Sequence, residues 1–104
     1  MNHHLHDGQI SAVNASEVVA KMLERGVPME KAVEIMSRQP IDIIAFDAEM
    51  AYMAASLRPA TRWLGLSLGD RACLALGLKT GLTVLTAEHL WAKADIGVVV
   101  EMIR

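Results

Sequence analysis

Apolar and polar positions along this chain switch between strand-like and helix-like spacing, and the switches predict its elements. Residues 9–13 (QISAV) read as a short buried strand. Asn14 follows as a helix N-cap, with Glu17 three residues on as its capping-box partner. Val18, Val19, Met22 and Leu23 then recur at helical spacing until Gly26 stops the helix. Pro28 opens a second helix carrying Ala32, Val33, Ile35 and Met36, and Pro40 breaks the chain beyond Arg38. The β-branched run at residues 41–46 (IDIIAF) predicts a second buried strand. Asp47 caps a third helix with Met50, Ala51, Met53, Ala54 and Leu57, and residues 58–68 read as a loop holding Pro59 and Gly65.

Ser67 begins a capping box, S-L-G-D, that ends at Asp70. The helix after it, residues 71–79, is apolar on nearly every side and is therefore expected to be buried all round; Gly81 ends it. Residues 83–85 predict a strand, Thr86 the cap of a short helix with Glu88 in its first turn, and residues 96–103 a last strand. Strands alternating with helices imply an α/β fold with a mostly parallel sheet. Near-continuous apolar strands imply that both faces are covered, which makes three layers, α/β/α.

Composition narrows what such a fold can do. The 104 residues allow one domain, with residues 1–8 polar and loosely ordered. A hydrophobic share of 53% excludes intrinsic disorder, and a net charge of -2 excludes holding duplex DNA by charge alone. A single cysteine, Cys73, excludes an internal disulfide and fits a reducing compartment. No uncharged apolar run approaches the roughly 18 residues of a membrane helix. The N-terminus, with His3, His4, His6 and Asp7, lacks the apolar core of a signal peptide. The expectation is a cytoplasmic domain.

In a parallel sheet the loops and helix starts after the strands gather on one edge, where ligands bind. Glu17, Asp70 and Glu88 all lie at such starts. Carboxylates brought together repel one another, and a divalent cation relieves the repulsion; Mg²⁺ suits one or two carboxylates plus a phosphate. Each acid also has a plainer role, because an acid in a first helical turn gains roughly 0.3 to 1 kcal/mol from the helix dipole with no ligand. Asp47 occupies the same kind of position and is read as a cap only. Arg58, Arg62 and Arg71 form a basic stretch with no acid between Glu49 and Asp70, either an RNA contact or a solvated loop. Trp63 and Trp91 read as packing residues before base-stacking ones. His3, His4 and His6 are of a type that binds transition metals, and His89 of a type that contacts phosphate, but neither set carries a pattern. Met22, Met36, Met50, Met53 and Met102 read as core, and Cys73 as a small buried apolar residue. There is no phosphate loop, which argues against a nucleotide-binding flavodoxin-like domain.

Three stretches carry a family resemblance: ISAVNASEVVAKMLERG, LGLSLGDRACLALGLKTGLTVLTAEHLWAKAD and the ending IGVVVEMIR. In this order, from Ile10 to Arg104, they resemble a PIN domain of the VapC-type toxins of bacterial toxin–antitoxin systems. S-L-G-D-R-A-C-L-A-L and V-L-T-A-[acid]-x-x-W are the specific parts. The resemblance implies a Mg²⁺- or Mn²⁺-dependent endoribonuclease, an RNA substrate, a VapB-type antitoxin as partner, and a homodimer or higher homo-oligomer. It implies that Glu17, Asp70 and Glu88 are the catalytic metal ligands, Glu88 standing where an aspartate is usual. Asn14, Ser67 and Thr86 match polar positions lining the same pocket, and Arg71 is placed with them as substrate-binding.

The departure is at the front. The family's opening strand, with its aspartate in a V-x-D-x-S-like segment, has no counterpart here, and Asp7 precedes the wrong strand to replace it. Residues 9–104 therefore read as a PIN-like domain lacking its first, central strand, with the carboxylate set one ligand short. Such a loss leaves room for about two strand spacings, roughly 9 to 10 Å, which close packing cannot leave empty. Three outcomes are open: the half-sheets close on each other, two chains pair or exchange strands, or the natural protein is longer. An alternative function follows, a non-catalytic PIN remnant working only through protein association.

Overall fold

The computed structural model describes residues 8–93. The polar N-terminus through Asp7 and the expected strand at 96–103, with Met102, lie outside the described residues. Strand β1 (Gln9–Ser11) leads into helix α1 (Ala12–Glu24), followed by α2 (Met29–Ser37), β2 (Asp42–Ile44), α3 (Ala48–Ser56), α4 (Arg58–Thr61), α5 (Leu68–Thr80) and α6 (Ala87–Lys93). The fold is mixed α/β and mostly helical, around a small parallel pair in which Gln9, Ile10 and Ser11 face Asp42, Ile43 and Ile44. None of the helices among the described residues is long and apolar enough to cross a membrane.

The strands are shorter than the apolar runs predict. Ser11 is itself a good cap: its Oγ accepts the Val13 N–H at 3.2 Å, so the helix starts at Ala12 and cuts the strand to three residues. Asn14 is consequently not the N-cap and forms no capping box with Glu17; it sits inside the first turn of α1. Residues 83–85 make a single parallel bridge, Gln9 to Val84, rather than a full strand. Even so, this segment lies directly against β1. The Gln9 N–H donates to the Thr83 carbonyl at 3.2 Å, and the Leu85 N–H to the Gln9 carbonyl at 2.8 Å. Among the described residues β1 is thus flanked on both sides, by β2 and by the segment at Val84. Gly8 is needed at this seam: its φ is +139°, and a Cβ there would stand 3.1 Å from the Thr83 carbonyl oxygen.

Two apolar clusters hold the elements. Ile10, Val18, Met22, Ala32, Ile35, Met36, Ile41, Leu85 and Leu90 form one, joining β1, α1, α2 and α6. Met50, Ala54, Ala75 and Leu76 form the other, between α3 and α5, with Ile44 and Val84 packed against it. Val84 and Leu85 enter different clusters, as alternating side chains on an extended segment require.

Several expectations hold and others are corrected. Asp47 caps α3, its Oδ1 accepting the Met50 N–H at 3.0 Å. The expected loop at 58–68 instead contains α4 and a 3₁₀ turn (Arg62–Leu64), with Pro59 in the first turn of α4 where its missing N–H costs nothing. Helix α5 is not buried all round. Its small residues Gly69, Ala72 and Ala75, with Leu76, face the interior, while Leu74 and Leu78 stay 47% and 68% exposed. Only its inner side has neighbours to cover it, so composition alone overstates its burial. Trp63, read as a packing residue, is 81% exposed, because it sits on the outward 3₁₀ turn. Cys73 is half-buried rather than buried.

Candidate functional site: an acidic cleft between α1, α5 and α6

One helical stripe forms the first wall. Asn14, Glu17, Val18 and Lys21 recur at i, i+3, i+4 and i+7, so they share a face of α1. Ser67 and Asp70 at the start of α5 form the second wall, and Thr86, Ala87 and Glu88 at the start of α6 the third. Together they enclose a cleft of about 380 Å³. Glu17, Asp70, Glu88, Asn14, Ser67 and Thr86, six positions picked from widely separated segments, therefore share one cavity. Arg71 does not join them. It turns to the other side of α5, where its Nη1 donates to the Ala54 carbonyl at 3.1 Å and ties α5 to α3.

Asn14 organises the floor. It is only 3% exposed, and its Nδ2 donates to Glu17 Oε1 at 3.1 Å and to the Gly69 carbonyl at 3.2 Å. Its Oδ1 is buried with no hydrogen-bond partner among the described residues, which leaves an acceptor inside the protein unsatisfied. The Glu17 carboxylate lies over Gly69, so close that a Cβ there would stand 2.6 Å from Glu17 Oε2. Glycine at 69 makes room for the acid.

Asp70 and Ser67 close a reciprocal capping box. Ser67 Oγ accepts the Asp70 N–H at 3.1 Å, and Asp70 Oδ2 accepts the Ser67 N–H at 3.0 Å. The plainer role expected of Asp70 is thus real, and it occupies one of the two carboxylate oxygens. Thr86 caps α6 with a single bond, its Oγ1 accepting the His89 N–H at 3.0 Å.

Sequence reasoning missed Lys21, among the described residues the one basic side chain lining the cleft. Its position four residues after Glu17, on the face already marked by Asn14 and Glu17, was the available signal. The Lys21 Nζ lies over the Trp91 ring, 4.3 Å from its centroid, and the Arg25 guanidinium lies 5.3 Å from the same centroid. Trp91 thus packs as expected, against the α1 side of the core.

Charge from the cleft reaches the back of α5. Burial pushes the Cys73 thiol above its ordinary value, and the negative charge of Asp70 pushes it further the same way. Among the described residues no three of His, Cys, Asp and Glu stand close enough to hold a metal ion jointly. The donors present, exposed carboxylates with a buried unsatisfied amide oxygen beside them, fit a hydrated divalent cation bound through one or two carboxylates and its own waters, not a closed cage.

No match to known proteins was found: no family model matches the chain, and no curated protein or solved structure does.

Proposed function

We propose that this protein is a divalent-cation-dependent endoribonuclease of the PIN type, the toxin half of a toxin–antitoxin pair, working in the cytoplasm at the α1–α5–α6 cleft. One observation carries the reading: Glu17, Asp70 and Glu88 line a single cavity together with Asn14, Ser67 and Thr86. The two apolar clusters, drawing on opposite sides of the extended segment at Val84 and Leu85, support a three-layer α/β/α arrangement of PIN type. Exposed Leu74 and Leu78 on α5 support association with an antitoxin or a second copy.

One or two of Glu17, Asp70 and Glu88 would hold a hydrated Mg²⁺ or Mn²⁺ and the remaining acid would meet its waters; the ion would supply activation of water and stabilise charge on a phosphodiester. The chain's own residues set the rest. Asn14 Nδ2 fixes one Glu17 oxygen, and Gly69 leaves space for the other. Asp70 spends Oδ2 on its cap, so Oδ1 is the oxygen available to a ligand. Ser67 and Thr86 each accept a backbone N–H, which leaves their hydroxyl protons free to donate to phosphate oxygens.

A second reading is a PIN remnant that only binds proteins, for which the exposed Leu74 and Leu78 on α5 offer a surface. One experiment divides them. Purified protein is assayed for RNA cleavage with Mn²⁺, with chelator, and as Asp70→Asn, while Mn²⁺ is titrated by calorimetry. Cleavage that needs the metal and disappears in a folded Asp70→Asn protein establishes the enzyme. Cleavage that ignores chelator and substitution excludes this site, and absence of both Mn²⁺ binding and cleavage leaves the remnant.

A further inference from the structure

Lys21 has a setting unlike that of Lys31 or Lys79. Lys31 is neutralised by Glu34 at 3.3 Å, and Lys79 by Glu49 at 2.7 Å. Lys21 lies one turn beyond Glu17, the spacing at which Glu–Lys pairs form, yet among the described residues no carboxylate lies within ion-pair distance of it. Its ammonium rests on the Trp91 ring instead. A ring face attracts the charge but consumes none of the three N–H donors. The result is a cation held in place at the wall of a cleft, with its hydrogen-bonding capacity unspent.

The other charged residues that line the cleft among the described residues are acidic. Glu17, Asp70 and Glu88 repel a phosphate chain, and a cation bound at the carboxylates offsets that repulsion only where it sits. A strand threading the cleft carries further phosphates to either side of the one at the carboxylates. Lys21, two turns along α1 from Asn14, lines the same cleft at a distance along the helix from the carboxylates, as contact with a flanking phosphate requires. We infer that Lys21, seated on Trp91, is a phosphate-holding residue of this cleft, and that its ligand is a backbone phosphate of single-stranded RNA. The choice of RNA rests on the nuclease reading; the anion chemistry rests on the cleft itself.

The test is binding of a short fluorescein-labelled single-stranded RNA in Ca²⁺, a divalent cation able to neutralise the carboxylates, followed by anisotropy across a range of salt, with a gel confirming that the RNA stays intact and thermal melting confirming the fold of each variant. Wild type is expected to bind with a salt-dependent affinity. Lys21→Gln is expected to weaken binding and to reduce the slope of log Kd against log salt by about 0.7, the loss of one single-strand phosphate contact. Lys21→Arg is expected to keep the slope, and Lys31→Gln, on the exposed side of α2, to leave it unchanged. A slope unaltered in Lys21→Gln, a Lys21→Arg variant as weak as Lys21→Gln, or no RNA binding by wild type overturns the inference. Mn²⁺-dependent cleavage by wild type with unaltered Lys21→Gln binding removes the lysine and keeps the nuclease. Lysine-dependent binding with no cleavage under any divalent cation does the reverse.

Discussion

The carboxylate of Glu17 occupies the space that a side chain at Gly69 would need: a methyl carbon there would lie 2.6 Å from Oε2 and 3.0 Å from Oε1. The contact is with the free end of a flexible side chain, so it yields by moving the acid and not the backbone.

Gly69→Ala therefore separates stability from function. Alanine is better than glycine in a helix by about 0.8 to 1 kcal/mol, so the melting temperature is expected to hold or rise. On the proposed nuclease reading, the displaced Glu17 is expected to cut metal-dependent RNA cleavage on the order of a hundredfold, the cost of a misplaced group of this kind. Full activity in a stabilised Gly69→Ala protein would show that the position of Glu17 has no bearing on the reaction.

Asn14→Ala is expected to destabilise the fold by about 1 to 3 kcal/mol, since it removes both bonds from the buried Nδ2, one of which joins α1 to α5. Urea unfolding measures this. A loss below a few tenths of a kcal/mol would mean that the two helices dock without that link.

Cys73 reports the charge of Asp70. The folded thiol titrates above its ordinary value of 9.0, so its alkylation by iodoacetamide is expected to be slow near neutral pH and to rise only in alkali. Asp70→Asn removes the smaller of the two causes. The alkylation midpoint should then move down, though not back to the ordinary value, because burial persists. A midpoint that stays put or climbs would show that the Asp70 charge is not felt at the thiol.

Ile10→Ala and Leu78→Ser should differ sharply although both remove a large apolar side chain. Ile10 is fully buried between the strand pair and α1, and its truncation is expected to cost about 2 to 5 kcal/mol. Leu78 is 68% exposed, and its replacement is expected to fall within about 0.5 kcal/mol of wild type. A large loss at Leu78 in dilute monomer would mean that the outer face of α5 is covered in solution.

Helix caps were the most legible feature of the sequence. The pair Ser67 and Asp70, and the caps Asp47 and Thr86, stand where the local pattern puts them, because a cap is decided by a side chain and a backbone N–H three residues away. Ser11 was missed for the opposite reason: it lies inside an apolar run, and nothing local tells a strand from a helix start there. The burial of α5 was misjudged because an apolar helix is buried only where neighbours exist, and those come from distant segments. Glu17, Asp70 and Glu88 line one cleft because helix starts that follow extended segments gather at one sheet edge. Lys21 was missed because its partner is a ring seventy positions away, a contact no spacing rule anticipates.

The hydrogen bond from Asn14 to the Gly69 carbonyl spans 55 positions of chain. No excised peptide, whether the first helix or the fifth, can reproduce the cavity by itself; each would bring acids without an enclosure. Whatever chemistry resides there must rise and fall with the global folding equilibrium, so titrating denaturant should abolish ligand binding in the same transition that melts the helices.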